Sequence, residues 1–511
     1  MIMHKRSSTI APVSLLLVSL VCGFTAPGPG RAGDQPQWGQ RFSRNMVSGE
    51  KDLPGSFDPV NGGNIKWRAA LGSQTYSTPV VAGGRVLIGT NNEEPRDPRH
   101  RGDRGVLMCL MEENGALDWQ LVAPKLTGDP YLDWPKEGMV STATVEGERI
   151  YMVSNRGEVL CLDLYGQKNG NDGPFYDEGR YMAPEGENAL EVTKLDADIL
   201  WRFDMPEQIR IHQHDAAHSS ILIHGRFLYV NTSNGVDNTH RRIRAPDAPS
   251  LIVLDKATGR WIARDDERIG PNIFHSTWSS PSLGRVGERD LVFFGGGDGI
   301  CYAFLALSAL PADRRVRPLE LIWRYDGDPS APKENVHQYV KNRSQSPSNI
   351  KSMPVCVDGR IYITLGGDIW WGKRRAWLKC IDASGPAAAV GTGEIWSYEL
   401  EDHCCSTPSV HRDMVFVADC GKNVHCVNAK DGIPIWTHEI DAPVWASTLV
   451  ADGKVYLGSR RGVFWIFAAS ESKRVLSRIE LDSSINGTAT AANGVLYVAT
   501  MKTLYALTTG E

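Results

Sequence analysis

The sequence repeats one stretch, Ser77-Thr-Pro-Val-Val-Ala-Gly-Gly-Arg-Val-Leu-Ile-Gly89, at later points along the chain. Two clear copies are Ser406-Thr-Pro-Ser-Val-His-Arg-Asp-Met-Val-Phe-Val-Ala418 and Ala446-Ser-Thr-Leu-Val-Ala-Asp-Gly-Lys-Val-Tyr-Leu-Gly458. Each copy reads as a short apolar strand, a tight turn that often contains Gly, and a second strand of alternating apolar residues, which is typical of a β-hairpin. Such self-similarity predicts a fold built from repeated units.

A third strand and a linker follow each hairpin. One example is Val424-His-Cys-Val-Asn-Ala-Lys-Asp-Gly432-Ile-Pro-Ile-Trp436, in which an eleven-residue frame begins at Cys426; the same frame begins at Cys109, with Gly115 and Trp119 at matching positions. A large flat indole at a repeated interface position accounts for the 15 Trp residues of the chain. This frame resembles the tryptophan-docking motif of the pyrroloquinoline-quinone (PQQ) propeller family, whose Trp packs between neighbouring blades. The resemblance extends over roughly residues 35 to 510.

Eight segments start a first strand in phase with this repeat. They begin at Ser77, Ser141, Ser219, Ser279, Ser352, Ser406, Ala446 and Gly487. The matching outer strands start at Trp67, Trp119, Trp201, Trp261, Trp323, Trp396, Trp436 and Leu476. We therefore predict an all-β, eight-bladed β-propeller with four-stranded antiparallel blades over residues 63–511, closed by an N-terminal strand at about 63–71 that completes the last blade. Insertions are expected at about 166–198, 235–250 and 327–349.

The N-terminus predicts export. Lys5 and Arg6 precede an apolar run that is short for a membrane span, and small residues follow, which is typical of a secretory signal peptide over residues 1–32. Residues 33–62 form an N-terminal extension. We expect a periplasmic or extracellular monomer without a transmembrane segment. A formal net charge of -5 offers no basic excess for nucleic acid.

In a propeller, the residues just before each first strand crowd the mouth of the central channel, so a site is expected there. The candidates for catalysis are His214, Asp215, His218, Lys351 and His403. The candidates for binding a ligand or cofactor are Tyr76, Trp278, Lys351, Cys404, Cys405, Trp445 and Asn486.

Two of these groups have alternative interpretations. The stretch His212-Gln-His214-Asp215-Ala-Ala-His218 offers imidazoles beside a carboxylate, which suits a transition metal or acid–base chemistry, or else a polar rim. It completes no recognised ligand spacing, so no metal site is predicted. The Cys404–Cys405 pair resembles the vicinal disulfide of quinoprotein alcohol dehydrogenases. It lies in blade six, however, whereas that family has its pair near the start of the propeller, so two separate thiols are the alternative.

Three functions are compatible with these features. The first is a ligand- or protein-binding scaffold, similar to the BamB-like members of the family, with an unknown protein or small molecule at the channel and no cofactor. The alternative is a dehydrogenase that oxidises alcohols or sugars with PQQ and calcium, although the family's calcium-binding motifs are not found. The third uses Trp278 and Trp445 as stacking platforms for a polysaccharide or peptide.

Overall fold

The protein is described by a computed structural model that covers residues 33–384 and 393–510. The signal peptide expected at 1–32 lies outside these residues. Eight separate sheets form the body of the described chain, and each contains one blade of four antiparallel strands. The predicted all-β, eight-bladed propeller is therefore confirmed. No helix in the described part of the chain is long and apolar enough to cross a membrane.

In each blade the four strands pair in the order in which they are named below. Those of blades one to four are Val80–Ala82, Arg85–Asn91, Arg104–Met111 and Leu117–Pro124; Thr144–Glu146, Arg149–Val153, Glu158–Asp163 and Ile199–Asp204; Leu222–His224, Phe227–Asn231, Leu251–Asp255 and Trp261–Arg264; and Ser282–Val286, Arg289–Gly295, Ile300–Leu305 and Leu321–Asp326. Those of blades five to eight are Val355–Val357, Arg360–Gly367, Ala376–Asp382 and Glu394–Leu400; Ser409–His411, Met414–Ala418, Asn423–Asn428 and Pro434–Glu439; Leu449–Ala451, Lys454–Gly458, Val463–Ala468 and Val475–Glu480; and Thr490–Ala492, Val495–Ala499, Thr503–Leu507 and Ile65–Ala70.

Short elements decorate the ring. Two-residue strands extend blades three and five, and the helices are one turn or slightly longer. The added strands are Arg317–Pro318 and Ser348–Asn349; the α-helices are Glu178–Met182 and Met205–Ile209; the 3-10 helices are Pro130–Leu132, Gly166–Lys168, Gly270–Asn272 and Val336–Tyr339.

The ring closes through the N-terminal strand, as expected. Strand Ile65–Ala70 pairs antiparallel with Thr503–Leu507, so the first strand of the chain completes blade eight. This pairing leaves no gap between the last blade and the first, and it ties the two ends of the chain together.

A belt of hydroxyl groups explains why the repeat begins with Ser and Thr. At every junction between neighbouring blades, a backbone or hydroxyl group at the start of one first strand bonds to its neighbour. The eight bonds are Thr78 N to Thr142 Oγ1, Ser219 N to Ser141 Oγ, Ser220 N to Ser280 Oγ, Ser279 Oγ to Ser352 O, Met353 N to Thr407 Oγ1, Thr407 N to Ser447 Oγ, Ser447 N to Thr488 Oγ1, and Thr488 N to Thr78 Oγ1. These bonds join the buried strand starts around the whole channel.

Docked indoles join the outer parts of the blades. Six Trp Nε1 groups donate to a backbone carbonyl of the next blade, namely those of Trp67, Trp119, Trp201, Trp323, Trp396 and Trp436. Gly115 shows why Gly recurs in the frame, because a Cβ there would lie 2.5 Å from the ring of Trp67. Trp261 differs, since its indole bonds within its own strand to Ala263.

The N-terminal extension seals one end of the channel. Residues 33–50, here called the plug, lie across the far ends of the first strands and bond to all eight blades. One bond to each blade, in order, is Val81 N to Gln35 O, Val145 N to Pro36 O, Arg44 Nη2 to Ser220 O, Leu283 N to Phe42 O, Cys356 N to Ser43 O, Asn45 Nδ2 to Val410 O, Val450 N to Met46 O, and Gly494 N to Glu50 Oε2. Within residues 33–384 and 393–510, the plug therefore covers the end of the channel opposite the one where the first strands begin.

Arg44 anchors the centre of the plug. Its side chain is fully buried, and its guanidinium donates to the carbonyls of Pro281, Trp38 and Ser220 and to the Ser220 hydroxyl. Burial without a carboxylate partner lowers the pKa of Arg44 to about 9.

Candidate functional site

The open end of the channel holds a pocket that all eight blades help to form, here called the mouth. It encloses about 160 Å³, and Trp38 of the plug lies at its base. Its other lining residues are Tyr76, Glu137, Val140, Ser141, Thr142, Asp215, His218, Ser219, Ser220, Trp278, Ser280, Lys351, Ile369, Trp370, Cys405, Trp445 and Asn486.

The structure brings most of the sequence-predicted residues together at the mouth. Those that line it are Tyr76, Asp215, His218, Trp278, Lys351, Cys405, Trp445 and Asn486. His214, His403 and Cys404 do not line it. They are buried directly beside lining residues of the same strand entries.

Aromatic rings form one continuous side of the mouth. Tyr76 stacks on Trp445 with ring centroids 6.3 Å apart, Trp445 meets Trp370 edge-on at 5.7 Å, and Trp370 meets Trp278 edge-on at 5.6 Å. These four rings are called the aromatic wall. The indole Nε1 of Trp278 is buried and has no hydrogen-bond partner among the described residues. The aromatic wall therefore offers apolar faces together with one free donor.

Lys351 stands against the aromatic wall and is neutralised by a carboxylate. Its ammonium lies 4.1 Å from the ring centroid of Trp278 and 2.9 Å from Asp368 Oδ2. The same Oδ2 atom accepts from His275 Nδ1 at 3.0 Å, while Oδ1 accepts from two backbone N–H groups, those of Trp370 and Trp371. These donors hold the pKa of the buried Asp368 well below its ordinary value, against the effect of burial itself.

Three imidazoles cluster directly behind Asp215. His214 Nε2 lies 3.1 Å from His240 Nε2, and the ring centroid of His275 lies 4.8 Å from that of His214 and 5.2 Å from that of His240. All three side chains are buried. Burial, reinforced by the neighbouring imidazoles, lowers the pKa of His214 to about 2 and that of His240 to about 4. His214 and His240 are therefore uncharged at neutral pH.

Two carboxyl groups face the mouth without a cation between them. Burial, with a smaller contribution from the Asp215 charge, raises the pKa of Glu137 to about 8, and Glu137 Oε2 is buried without a hydrogen-bond partner. Burial also raises the pKa of Asp215. Glu137 is therefore mostly protonated at pH 7 and can donate a proton or a hydrogen bond to a bound molecule.

The predicted residues of blade six separate into different environments. Cys404 Sγ donates to Ala418 O at 3.2 Å inside the blade, whereas Cys405 faces the mouth and interacts with the Cys420 thiol. No disulfide joins any of the cysteines in 33–384 and 393–510. His403 is buried, and its Nδ1 lies 2.6 Å from Asp402 Oδ1. Of these three candidates, only Cys405 contacts the mouth.

The site also contains residues that the sequence reading missed. Asp368, Trp370 and Trp371 lie in the loop between the second and third strands of blade five, and His240 lies in the insertion at 235–250. Glu137 precedes blade two. The only available signal was the length of the loops, because nothing in the repeat marks which loops fold over the channel.

Comparison with known proteins agrees with this architecture. A family model described as "Outer membrane protein assembly factor BamB" matches residues 60–168 and 376–475. No curated protein matches the chain. Among solved structures, quinohemoprotein alcohol dehydrogenase from Comamonas testosteroni has a TM-score of 0.59 and 12% sequence identity, covering 94% of this chain and 82% of that one. BamB from Moraxella catarrhalis has a TM-score of 0.49 and 13% identity, covering 86% of this chain and 96% of that one.

Sequence identity this low indicates a similar fold, and it does not show that this chain shares an activity with those proteins. The eight in-phase repeats, the docked indoles and the family model matched over residues 60–168 and 376–475 together support a PQQ-like β-propeller family.

Proposed function

We propose that the protein is a binding propeller whose mouth takes an uncharged, polyhydroxylated small molecule such as a short saccharide. The observation that carries this proposal is the aromatic wall facing hydrogen-bonding groups in a channel that the plug closes. Stacking on indole faces combined with hydrogen bonds to hydroxyl groups is a chemistry suited to sugar rings.

The pairing of Lys351 and the proton on Glu137 favour an uncharged ligand, while the Arg460 guanidinium, 3.6 Å from the ring centroid of Trp445, is a further cation beside the mouth. Lys351 is paired with Asp368, and Glu137 is mostly protonated at neutral pH. Asn486 Oδ1 is buried without a partner, and so is Glu137 Oε2. A hydroxyl-rich ligand satisfies both atoms by donating to the amide oxygen and by accepting from or donating to the carboxyl group.

The residues of the mouth do not fit PQQ bound through calcium. Calcium takes six to eight oxygen ligands, whereas the carboxyl groups here are Asp215, whose neighbours are imidazoles, and Glu137, which holds its proton. PQQ carries several carboxylates, and the lysine of the mouth is already neutralised by Asp368. The separate environments of Cys404 and Cys405 give no disulfide platform for a quinone ring. We therefore favour binding without PQQ.

The N-terminal sequence supports a location for this function outside the cytoplasm. We propose that the mature protein acts outside the cytoplasm, after removal of residues 1–32. N-terminal sequencing of protein recovered from the periplasm or the medium tests this, and protein that retains Met1 would contradict it.

Titration calorimetry with a panel of short oligosaccharides tests the ligand proposal. The panel contains oligomers of glucose, N-acetylglucosamine, mannose and a uronic acid. We expect at least one uncharged oligomer to bind with 1:1 stoichiometry, and we expect Trp278→Ala and Trp445→Ala each to weaken it by roughly two- to twelvefold, since loss of a stacked aromatic costs about 0.5–1.5 kcal/mol.

Trp261→Phe is the matched control, because this Trp lies on the outer strand of blade three. Absence of binding to every member of the panel, or equal loss in the control variant, would refute the proposal.

A further inference from the structure

We propose that His214, His240 and His275 bind one divalent first-row transition metal ion of the zinc type, with Asp215 as the neighbouring carboxylate. This inference does not depend on which molecule occupies the mouth. It rests on the spacing of the imidazole nitrogens, on the groups that orient them, and on one buried nitrogen that has no partner.

The spacing suits a single ion. The three His residues each present a ring nitrogen, and these atoms all lie within 4.8 Å of one another. Zinc–nitrogen bonds of about 2.0–2.1 Å at tetrahedral angles place two ligand nitrogens roughly 3.3–3.4 Å apart. His214 Nε2 and His240 Nε2 are 3.1 Å apart, which is close to this spacing.

Hydrogen bonds fix two of the rings in the tautomer that a metal needs. His214 Nδ1 donates to Val236 O at 2.7 Å, and His275 Nδ1 donates to the ionised Asp368 at 3.0 Å. The Nδ1 proton leaves each Nε2 with a free lone pair. This arrangement, a ligating imidazole whose other nitrogen is held by a carbonyl or carboxylate, is the usual support of metal-binding His residues. Asp368 is therefore a positioning residue in this proposal.

His275 Nε2 is a buried nitrogen without a hydrogen-bond partner in the described part of the chain. The side chain is 2% exposed, and Nε2 has no hydrogen-bond partner among the described residues. An acceptor left unsatisfied in the interior costs about 1–3 kcal/mol. His214 and His240 satisfy each other, whereas His275 Nε2 is directed at the same centre without a partner. A metal ion at that centre satisfies all three nitrogens.

Asp215 connects this centre to the mouth. Its Oδ1 lies 3.6 Å from His214 Nε2, its Oδ2 lies 4.0 Å from His275 Nε2, and the same side chain lines the mouth. Its backbone is left-handed, with φ at 63°, a conformation that is uncommon outside Gly. The Asp215 carboxylate thus offers an oxygen donor on the Nε2 side of His214 and His275, and it also lines the mouth.

The donor set defines the class of ion. Three imidazoles and one carboxylate suit Zn²⁺ and its neighbours Fe²⁺, Co²⁺ and Ni²⁺, whereas Ca²⁺ and Mg²⁺ prefer oxygen and Cu⁺ prefers sulfur.

A second grouping of metal-ligating residues, Asp97, His100 and Asp196, differs from the three His residues in that a protein cation already lies beside it. The Arg99 guanidinium bridges the carboxylates of Asp97 and Asp196, so its positive charge already neutralises the two groups that a metal ion would bind.

Metal uptake by the full mature protein tests the inference. After treatment with a chelator and dialysis, the wild type is titrated with Co²⁺ and then with Zn²⁺. We expect one Co²⁺ per chain with the visible ligand-field absorption of a four- or five-coordinate site, displacement by one equivalent of Zn²⁺, and a rise in the unfolding temperature with either ion.

Three variants and one control identify the site. His240→Gln and His275→Gln should each lose more affinity than the roughly 10–100-fold that removal of an outer-shell partner costs, and Asp368→Asn should fall within that 10–100-fold range. His438→Gln, on the outer strand of blade six, should bind as the wild type does. His240 lies in an insertion loop, so its replacement spares the strands, and circular dichroism verifies folding of each variant.

No uptake by the wild type, unchanged affinity in folded His240→Gln, or equal loss in His438→Gln would overturn the proposal. Its failure is distinguishable from failure of the ligand proposal, because saccharide binding to the aromatic wall is measured separately in the presence of the chelator.

Discussion

Replacing Glu137 with Gln should make the protein less sensitive to alkaline pH. A carboxyl group whose pKa rises from 4.5 to about 8 on folding holds its proton more tightly in the folded state than in the unfolded state. Stability must therefore fall as the pH rises between these two values, and it levels off above about 8. Glu137→Gln removes this titration while it keeps the size and the hydrogen-bonding capacity of the side chain.

The size of the effect follows from the shift. A change of 3.5 pKa units corresponds to about 4.8 kcal/mol at 1.36 kcal/mol per unit. Because Glu137 is only partly shielded from solvent, we expect about 3 kcal/mol. An unfolding entropy near 2.1 cal/mol/K per residue gives about 1 kcal/mol/K for a chain of 511 residues, so this corresponds to roughly 3 °C in Tm.

The assay is differential scanning fluorimetry of metal-free protein in steps from pH 5 to pH 8.5. Between these limits the wild type should lose about 3 °C more than Glu137→Gln does. The exposed Glu185→Gln variant is the control and should follow the wild type. Parallel pH profiles for the wild type and Glu137→Gln would refute the assignment of a buried, protonated carboxyl group to the mouth.

Three further predictions concern the ring, the plug and the thiols. Trp119→Phe should lower the free energy of unfolding by about 2–4 kcal/mol, because the fully buried indole loses its bond to the next blade; Trp261→Phe should cost less, and thermal unfolding of both variants compares them. Arg44→Met should destabilise by several kcal/mol, since buried carbonyls lose their donors, and it should speed proteolysis within residues 33–50. Limited alkylation followed by mass spectrometry should modify Cys405 first and Cys420 more slowly, because the hydrogen bond with the Cys420 thiol lowers the pKa of Cys405. The seven other described cysteines are buried and should react last. Labelling spread evenly over all nine would contradict this prediction.

The ring could be predicted from the sequence because each of its parts repeats. Ser-Thr starts, Gly turns and Trp at fixed spacing arise from contacts that recur at each blade junction, so one recognised copy locates the others. Closure by Ile65–Ala70 followed from counting strands. The plug was not foreseen, because residues 33–50 have no repeat and their role depends on backbone and side-chain bonds to all eight blades.

The site could be predicted only in part, because several of its residues lie outside the repeat. Residues just before a first strand, such as Trp278 and Trp445, follow from the repeat, and both line the mouth. His240 and Asp368 come from irregular loops, and their approach to His214 and His275 is set by how those loops fold over the ring. The sequence places His214 and His240 in different segments, so no ligand spacing could be recognised.

X-ray absorption at the zinc K-edge, on wild-type protein loaded with one equivalent of Zn²⁺, tests most directly whether the mouth adjoins a metal site. The expected spectrum shows three imidazole nitrogens and one or two oxygens at about 2.0–2.2 Å, with the outer-shell scattering of imidazole rings. A sulfur shell at about 2.3 Å would instead place the ion at the Cys405 and Cys420 thiols, and a spectrum of hydrated zinc would show that the three His residues bind no ion.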